Sequence, residues 1–503
     1  MRTLVYLIGA GPGAPGLLTS RGLQCLAAAD VVIYDRTVDT RLLSLARPDA
    51  ERIDVGRPSR EATDQDAISY LLTEKAREGK VVARLKMGDP FLFDHGGEEA
   101  LFLHEQGIPF EVVPGVPVSL STATYAGIPL TYPGGGDTLT VVRGHEGTGG
   151  KLRVSWTHLA KLEGTVASYG GGDELRAMTR GLLEHGRSPD ERAALVLHGA
   201  TVSQRTVTGS LDDIAARLED GIDGSATLVV GKVVGLRDHL RWYDQRALFG
   251  KRVLVTRSRE YAGELVELLE GAGAEAIQAP VLRVAPLDDF SALDAAVDAM
   301  RTFDWIVVTT VNGADALINR LRTRGKDARA LAGPKLCAVG VGSSDRLARF
   351  GVHADLAVEG QAIDAVIDAL GGASMLAGAQ ILVPCNASGH DSLGEALSRE
   401  GAVVTQAPVF RTVSVDDNPE LDVYGQLLQG RIDVVTFTSA AAVRSFASLY
   451  GADQSADLFA HTTVATVGPA ATDAVRRLGV EPAIVPTFPS IPALVDAIRA
   501  HFQ

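Results

Sequence analysis

Leu4-Val5-Tyr6-Leu7-Ile8-Gly9-Ala10-Gly11-Pro12-Gly13-Ala14-Pro15-Gly16 is the stretch on which the fold of this 503-residue chain turns. Its apolar, partly β-branched start reads as a buried strand and Gly9 to Gly16 as a turn. Leu17 to Ala29 then carries the apolar spacing of a helix. Val31-Val32-Ile33-Tyr34 follows as a second strand, ending at Asp35-Arg36. The pattern continues with a helix over Asp66–Glu78, a strand Val81–Leu85, a turn at Met87-Gly88-Asp89-Pro90 and a helix from Glu98 to Gln106. Strands and helices in alternation predict parallel sheets covered on both faces, an α/β fold. The first turn literally fits G-x-G-x-x-G/A, with Asp30 or Asp35 near the distance of a ribose-binding carboxylate. Pro12 argues against a dinucleotide site, because it removes a backbone donor from the loop that would cradle a pyrophosphate.

Further strands are expected at Val166–Tyr169, Ala194–Leu197 and Thr227–Val230, with helices over Asp173–Glu184 and Leu211–Glu219. Residues 1–130 and 131–245 therefore read as two lobes of one module, 1–245. A new strand at Arg252–Thr256 places a boundary near 245–250, and a second module over 250–503. That module repeats itself. Gln278-Ala279-Pro280-Val281 recurs as Gln406-Ala407-Pro408-Val409, Asp304 parallels Asp433, and Val339-Gly340 parallels Val467-Gly468, always at an offset of 128 to 129. A repeat this long, in two copies, is a duplicated α/β half-domain and not a solenoid.

Acidic residues (62) exceed basic ones (48), for a net charge of -14. That disfavours a general binder of nucleic acid or anionic membrane, which needs a basic face. No apolar stretch approaches the ~20 residues of a membrane span. No leader is expected from the first residues, and the three scattered cysteines suggest no disulfide framework, so a cytoplasmic setting is expected. The histidines lack two-His helical spacing, so no metal site is expected. Glycine, 54 of 503 residues, exceeds the usual ~7% and clusters between apolar runs, where loops approach ligands.

VYLIGAGPGAPGLLTSRGLQCLAAADVVIYDR (5–36), RLKMGDPFLFDHGGEEA (84–100), FEVVPGVP (110–117) and TYAGIPLT (124–131) resemble the uroporphyrinogen-III C-methyltransferases of the tetrapyrrole methylase family. The similarity resumes at LVLHGATVSQRTVTGSL (195–211) and ATLVVGKVVGLRDHLRWY (226–243). The resemblance implies two α/β lobes with S-adenosylmethionine in the cleft between them, in a homodimer formed through this module. Carried over by motif, the cofactor would touch Pro12, Met87, Gly88, Asp89, Leu92, Pro117, Val118, Gly170 and Gly199. Asp35 falls at the family's proton acceptor and Arg57 where a lysine donor is usual. Glu98 could anchor a pyrrole N–H or favour the start of its helix, and His95 stands at a substrate-binding arginine. Ala14, Met87, His95 and Gly170 depart from the family's usual residues. Arg57 is better suited to clamping a carboxylate than to giving up a proton.

LVTRSREYAGELVELLEGAGAEAIQAPVLRV (254–284), WIVVTTVNGADAL (305–317), CAVGVGSSDRL (337–347), VVTFTSAAAVRSF (434–446) and VATVGPAATDAVRRLGV (464–480) resemble uroporphyrinogen-III synthase, as does FPSIPALVDAI (488–498). The resemblance implies two lobes joined by crossing segments near Arg283 and Arg411. It implies cyclisation of hydroxymethylbilane without a cofactor. Ligands of open α/β sheets lie beyond the carboxyl ends of strands. By that rule Thr256, Arg257, Thr310, Asn312, Gly340, Ser439 and Gly468 are the candidates for substrate binding, although each could equally be a loop or helix-cap residue. Ser445 lies near the position of a phenolic residue found in some members. Together the resemblances imply a bifunctional enzyme that makes uroporphyrinogen III and methylates it to precorrin-2. The alternative is an active synthase carrying a degenerate, non-catalytic methylase-like module.

Overall fold

The computed structural model describes residues 3–503 apart from 48, 57–64, 144–153, 220, 223, 359–362, 388–391, 416–420 and 452–453. Two compact units result. One comprises Met1–Arg252 with Leu269–Glu275 and Phe502–Gln503, and the other Val253–Leu268 with Ala276–His501.

In the first unit β1 (Leu4–Gly9), β2 (Val31–Tyr34), β3 (Glu51–Asp54), β4 (Val81–Lys86) and β5 (Phe110–Val113) form one sheet in the order β3-β2-β4-β1-β5. Every pairing given for it is parallel. Val5, Leu7 and Ile8 are fully buried because helices cover both faces of β1, which is why its apolar run is continuous. One face packs Leu26, Leu42 and Leu85, the other Leu72, Val82 and Leu103. The helix expected from Leu17 begins later, at Ser20–Ala28, where the Thr19 hydroxyl accepts from Gly22 N at 3.1 Å. The hydroxyl satisfies one of the donors a helix start leaves open, and so fixes the boundary. β1 and β4 stand at the centre, and the chain leaves them toward opposite edges. That reversal of strand order marks a ligand crevice at their carboxyl ends.

The same unit holds β6 (Leu139–Arg143), β7 (Thr165–Gly171), β8 (Arg192–Leu197), β9 (Arg205–Ser210) and β10 (Ser225–Val230), ordered β6-β7-β10-β8-β9. Here the parallel expectation fails. Only β6 and β7 run parallel, while β7–β10, β10–β8 and β8–β9 are antiparallel. The short loop from His198 to Gln204 is a hairpin connection, which parallel strands could not use. Met178, Leu182, Ile214 and Leu218 pack the helices Gly172–Glu184 and Leu211–Glu219 against this sheet.

The second unit contains β11 (Arg252–Val255), β12 (Glu275–Gln278), β13 (Leu282–Pro286), β14 (Trp305–Val308), β15 (Lys335–Val339) and β16 (Leu356–Val358). β17 (Gln380–Asn386), β18 (Val403–Ser414), β19 (Val434–Phe437) and β20 (Thr463–Thr466) complete it. Its sheets are ordered β12-β11-β19-β20 and β13-β18-β17-β14-β15-β16. β17 and β18 are the repeat copies of β11 and β12, and β19 and β20 those of β14 and β15. Both copies thus contribute to both sheets, two strands each to the four-stranded sheet and four against two to the six-stranded one. β18 pairs with β17 in parallel as far as Phe410, with a register shift after Pro408, and from Phe410 onward pairs antiparallel with β13. In that ribbon Arg283 faces Val413 and Arg411 faces Ala285, so the crossing segments fall where the resemblance implied. No helix among the described residues is long and apolar enough to cross a membrane.

Candidate functional sites

Three loops meet backbone to backbone beyond the central strands of the first unit. A Cβ on Gly9 would lie 2.5 Å from the Gly115 main chain and 2.6 Å from the Gly88 carbonyl oxygen, so only glycine fits. Gly11 and Gly88 exchange hydrogen bonds of 3.1 and 2.8 Å and both sit at positive φ, +66° and +70°. Pro12 is buried inside this turn. Asp89 spends both carboxylate oxygens on the scaffold, accepting from Phe91 N at 2.9 Å and from Gly115 N at 3.0 Å. Gly88 rests against Val118 and Pro117, at the start of the helix Val118–Tyr125.

The second sheet reaches the same place. Tyr169, next to Gly170 on β7, donates its hydroxyl to the Met87 sulfur at 3.8 Å. Thr122 shares a 2.6 Å hydrogen bond with Thr227 of β10, and a Cβ on Gly199 would lie 2.3 Å from the Thr122 side chain. His198 and Ala200, on either side of Gly199, hold φ of +48° and +62°, values rarely adopted outside glycine. Met87, Gly88, Asp89, Pro117 and Val118 are therefore brought together directly, and Gly170 and Gly199 through their neighbours. Leu92 lies exposed on the loop that follows Asp89.

Asp35, at the end of β2, is 27% exposed and accepts from the Arg84 Nη2 at 2.7 Å. Arg84 and Lys86 alternate along β4 on one side of the strand, each about as buried as a leucine in a core, at 1% exposure. Between them Glu99 Oε1 receives Arg84 Nε at 3.2 Å, Lys86 Nζ at 3.0 Å and Gln65 Nε2 at 3.0 Å. Lys86 also reaches Asp94 at 3.1 Å. Burial alone would raise the Glu99 carboxyl, but Arg84 and Lys86 outweigh it and hold the group below the usual carboxylate range. Burial likewise works against the Arg84 charge, and Glu99 and Asp35 overcome it. Arg84 Nη1 and Glu99 Oε2 are buried without a hydrogen-bond partner.

Glu98 lies apart from this cluster. Glu98 points outward, 69% exposed, and its Oε2 lies 2.8 Å from His95 Nδ1. The buried carboxylate is its neighbour, because helix Gly96–Glu105 turns Glu99, Ala100 and Leu103 toward the sheet. The missed signal was two cations separated by one residue within Val81-Val82-Ala83-Arg84-Leu85-Lys86, an otherwise apolar central strand. Arg57 lies outside the described residues.

In the second unit the candidates sit at strand ends, as two repeat-related sets. Thr310 and Ser439 cap the helices after β14 and β19, accepting from Gly313 N at 3.0 Å and Ala442 N at 3.2 Å. Gly340, at φ +83°, and Gly468 precede the helices after β15 and β20. Thr256 is not available to a ligand. It is fully buried, and its hydroxyl donates to the Thr436 carbonyl at 2.7 Å. Asn312 Nδ2 is buried with no hydrogen-bond partner, and Arg257 is half-buried with its guanidinium 5.7 Å from the Tyr261 ring. Burial depresses the Arg257 pKa against the opposing pull of Glu264 and Tyr261, which favours an anionic partner for it. Ser445 is buried and shares a 3.2 Å hydrogen bond with Ser414. No group of three His, Cys, Asp or Glu residues that could hold a metal ion occurs among the described residues.

Two tandem α/β modules with ligand-ready strand ends are the class this geometry defines. The family model for tetrapyrrole (corrin/porphyrin) methylases matches residues 4–215, and that for uroporphyrinogen-III synthase HemD matches 263–496. The porphyrin biosynthesis protein HemD of Ruminiclostridium josui is 36% identical over 445 residues, 88% of either chain. Siroheme synthase 2 of Cronobacter sakazakii is 42% identical over 243 residues, 48% of this chain and 52% of its own, so only about half of that relative is spanned. Among solved structures, uroporphyrin-III C-methyltransferase of Thermus thermophilus is 38% identical, covering 49% of this chain and 99% of that one with a TM-score of 0.41. Its complex with S-adenosyl homocysteine is 37% identical, covering 47% and 100% with a TM-score of 0.41. The chain belongs to the family of this HemD protein, a tetrapyrrole methylase followed by a uroporphyrinogen-III synthase. It is an enzyme of both kinds, a methyltransferase joined to a synthase.

Proposed function

We propose that the second unit closes hydroxymethylbilane to uroporphyrinogen III and that the first methylates this product to precorrin-2 with S-adenosylmethionine. The modules are taken as 1–245 and 250–503. The observation that carries the methylation reading is Asp35, a half-exposed carboxylate held by a buried arginine at the carboxyl end of a parallel sheet. The strand-end loops fit S-adenosylmethionine. Gly9, Gly11, Gly88 and Gly115 let the strand-end loops pack main chain to main chain there, and Leu92, Pro117 and Val118 border them with apolar side chains suited to an adenine.

When bound, the cofactor supplies an electrophilic methyl group. The chain's own task is to hold the pyrrole carbon in line with it, which positioning accomplishes. Asp35 then takes the proton that the cationic macrocycle gives up after methyl transfer, since the methylated carbon already bears a side chain and has none to lose. Arg57 clamps a substrate carboxylate, and His95 with Glu98 meets the substrate's outer edge. In the second unit Arg257 and Asn312 bind carboxylates of the linear tetrapyrrole, while Thr310, Gly340, Ser439 and Gly468 shape the strand ends around it. That reaction needs the substrate folded and water kept out more than it needs acid–base groups. One module's product is the other's substrate, so fusion raises its local concentration. We place the enzyme in the cytoplasm as a homodimer formed through the methylase module, acting on small tetrapyrroles, without nucleic acid or membrane.

Supplying hydroxymethylbilane with methyl-labelled S-adenosylmethionine and separating the products tests this. Doubly labelled precorrin-2 is expected. Unlabelled type III uroporphyrinogen would instead establish the degenerate methylase that the departures Ala14, Met87 and His95 raise.

A further inference from the structure

We infer that Arg84 is a positioning residue for methylation, acting through Asp35, with Glu99 as its anchor. The inference rests on the reading of Asp35 as proton acceptor. Arg84 itself has no route to a substrate, being 1% exposed, yet it spans the distance between a fully buried carboxylate and a half-exposed one. Its Nε is committed to Glu99 and its Nη2 to Asp35 Oδ1. The guanidinium is planar and rigid, so fixing one edge on Glu99 fixes the direction from which the other edge holds Asp35. Among the described residues no other side chain donates to Asp35, which belongs to the turn after β2. The arrangement resembles a base oriented by a third group, displaced one layer into the core. Lys86 balances the cluster: it shares Glu99 and leaves Arg84 free to serve Asp35.

A lysine cannot replace this geometry, since one ammonium lacks the two-edged fork. The experiment compares Arg84→Met, Arg84→Lys, Asp35→Asn and Arg84→Met/Asp35→Asn in the full chain. It measures methylation kcat and KM, S-adenosylhomocysteine affinity and hydroxymethylbilane cyclisation. Arg84→Met should lower methylation kcat about a hundredfold, the scale of a misplaced catalytic group. KM for S-adenosylmethionine, the product-cofactor affinity and cyclisation should stay within about twofold of wild type. Arg84→Lys should recover only part of kcat. In the Asp35→Asn background, loss of Arg84 should cost nothing more, because both changes remove one interaction.

Wild-type kcat in Arg84→Met, or losses that multiply in the double variant, would overturn the inference while leaving Asp35 as acceptor. Full activity in Asp35→Asn would remove the acceptor and the inference with it. If Arg84→Met no longer binds S-adenosylhomocysteine, the same comparison is read from Arg84→Lys, which keeps the buried charge: reduced kcat with no further loss beside Asp35→Asn supports the inference, and wild-type kcat overturns it.

Discussion

Among the described residues the first unit buries charged side chains and the second does not. Arg84, Lys86 and Glu99 lie in the core beneath Asp35, and Arg187 and Arg237 are buried elsewhere in the same unit. Among the described residues of the second unit, the buried polar side chains are all serine and threonine. Taking ions out of water is costly unless they are paired, so the buried cluster is weak evidence for stability and is consistent with an orienting role. The contrast follows the chemistry proposed for each half. Removing a proton at a defined carbon needs a carboxylate held at one angle. Folding a linear tetrapyrrole needs enclosing surface, main-chain groups and a few donors at the rim.

The comparison can be broken most sharply at Asp35. Asp35→Asn should cut methylation turnover about a hundredfold or more while cyclisation continues at its normal rate. Equal loss of both activities would show that the two halves are not independent. Glu99→Gln comes next, with an expected loss of about 3 kcal/mol of stability in the first unit, measured by denaturant unfolding of the full chain. Because the folded Glu99 carboxyl titrates below its ordinary 4.5, its contribution is complete above that pH and fades as pH falls through the lower folded value. The gap between wild type and Glu99→Gln should therefore narrow in acid; a constant gap would point to lost packing.

Smaller effects should come from the second unit. Asn312→Ala should weaken cyclisation about tenfold, the worth of one hydrogen bond to a charged group. An unchanged rate would leave Arg257 as the main anchor. Thr310→Ala and Ser439→Ala should each cost about 1 kcal/mol of stability as lost helix caps. Cyclisation should stay near normal, and a large kinetic loss without destabilisation would move these hydroxyls onto the substrate.

What could be read from residues alone divides along physical lines. Continuous apolar runs such as Leu4–Ile8 announce strands buried on both faces, and the near-constant offset of 128 to 129 residues announces the duplicated half. Gly11 and Gly88 announce loops where the main chain must approach itself. The sheet direction of the second lobe was hidden, because strand pairing is decided by loops such as His198–Gln204 and not by the strands. Glu98 and Glu99 are chemically identical neighbours, and only the rotation of their helix separates them. Thr256 looked like a strand-end ligand because its hydroxyl bond to Thr436 comes from a residue 180 positions away.

The β13–β18 ribbon has a mechanical meaning of its own. Val281 N donates to the Thr256 carbonyl at 3.2 Å, and Val415 N donates to the Val281 carbonyl at 3.1 Å, so the ribbon is rooted in the β11 sheet at one end and continues into the β17 sheet at the other. Sliding one strand past the other would break the five-residue ladder from Leu282 to Pro286, whereas bending the pair out of its plane would keep every rung. The ribbon therefore behaves as a leaf spring with one soft direction. A movement of the two synthase sheets that kept this ladder whole would be a rocking one, with Thr256 at the point where the ribbon is clamped.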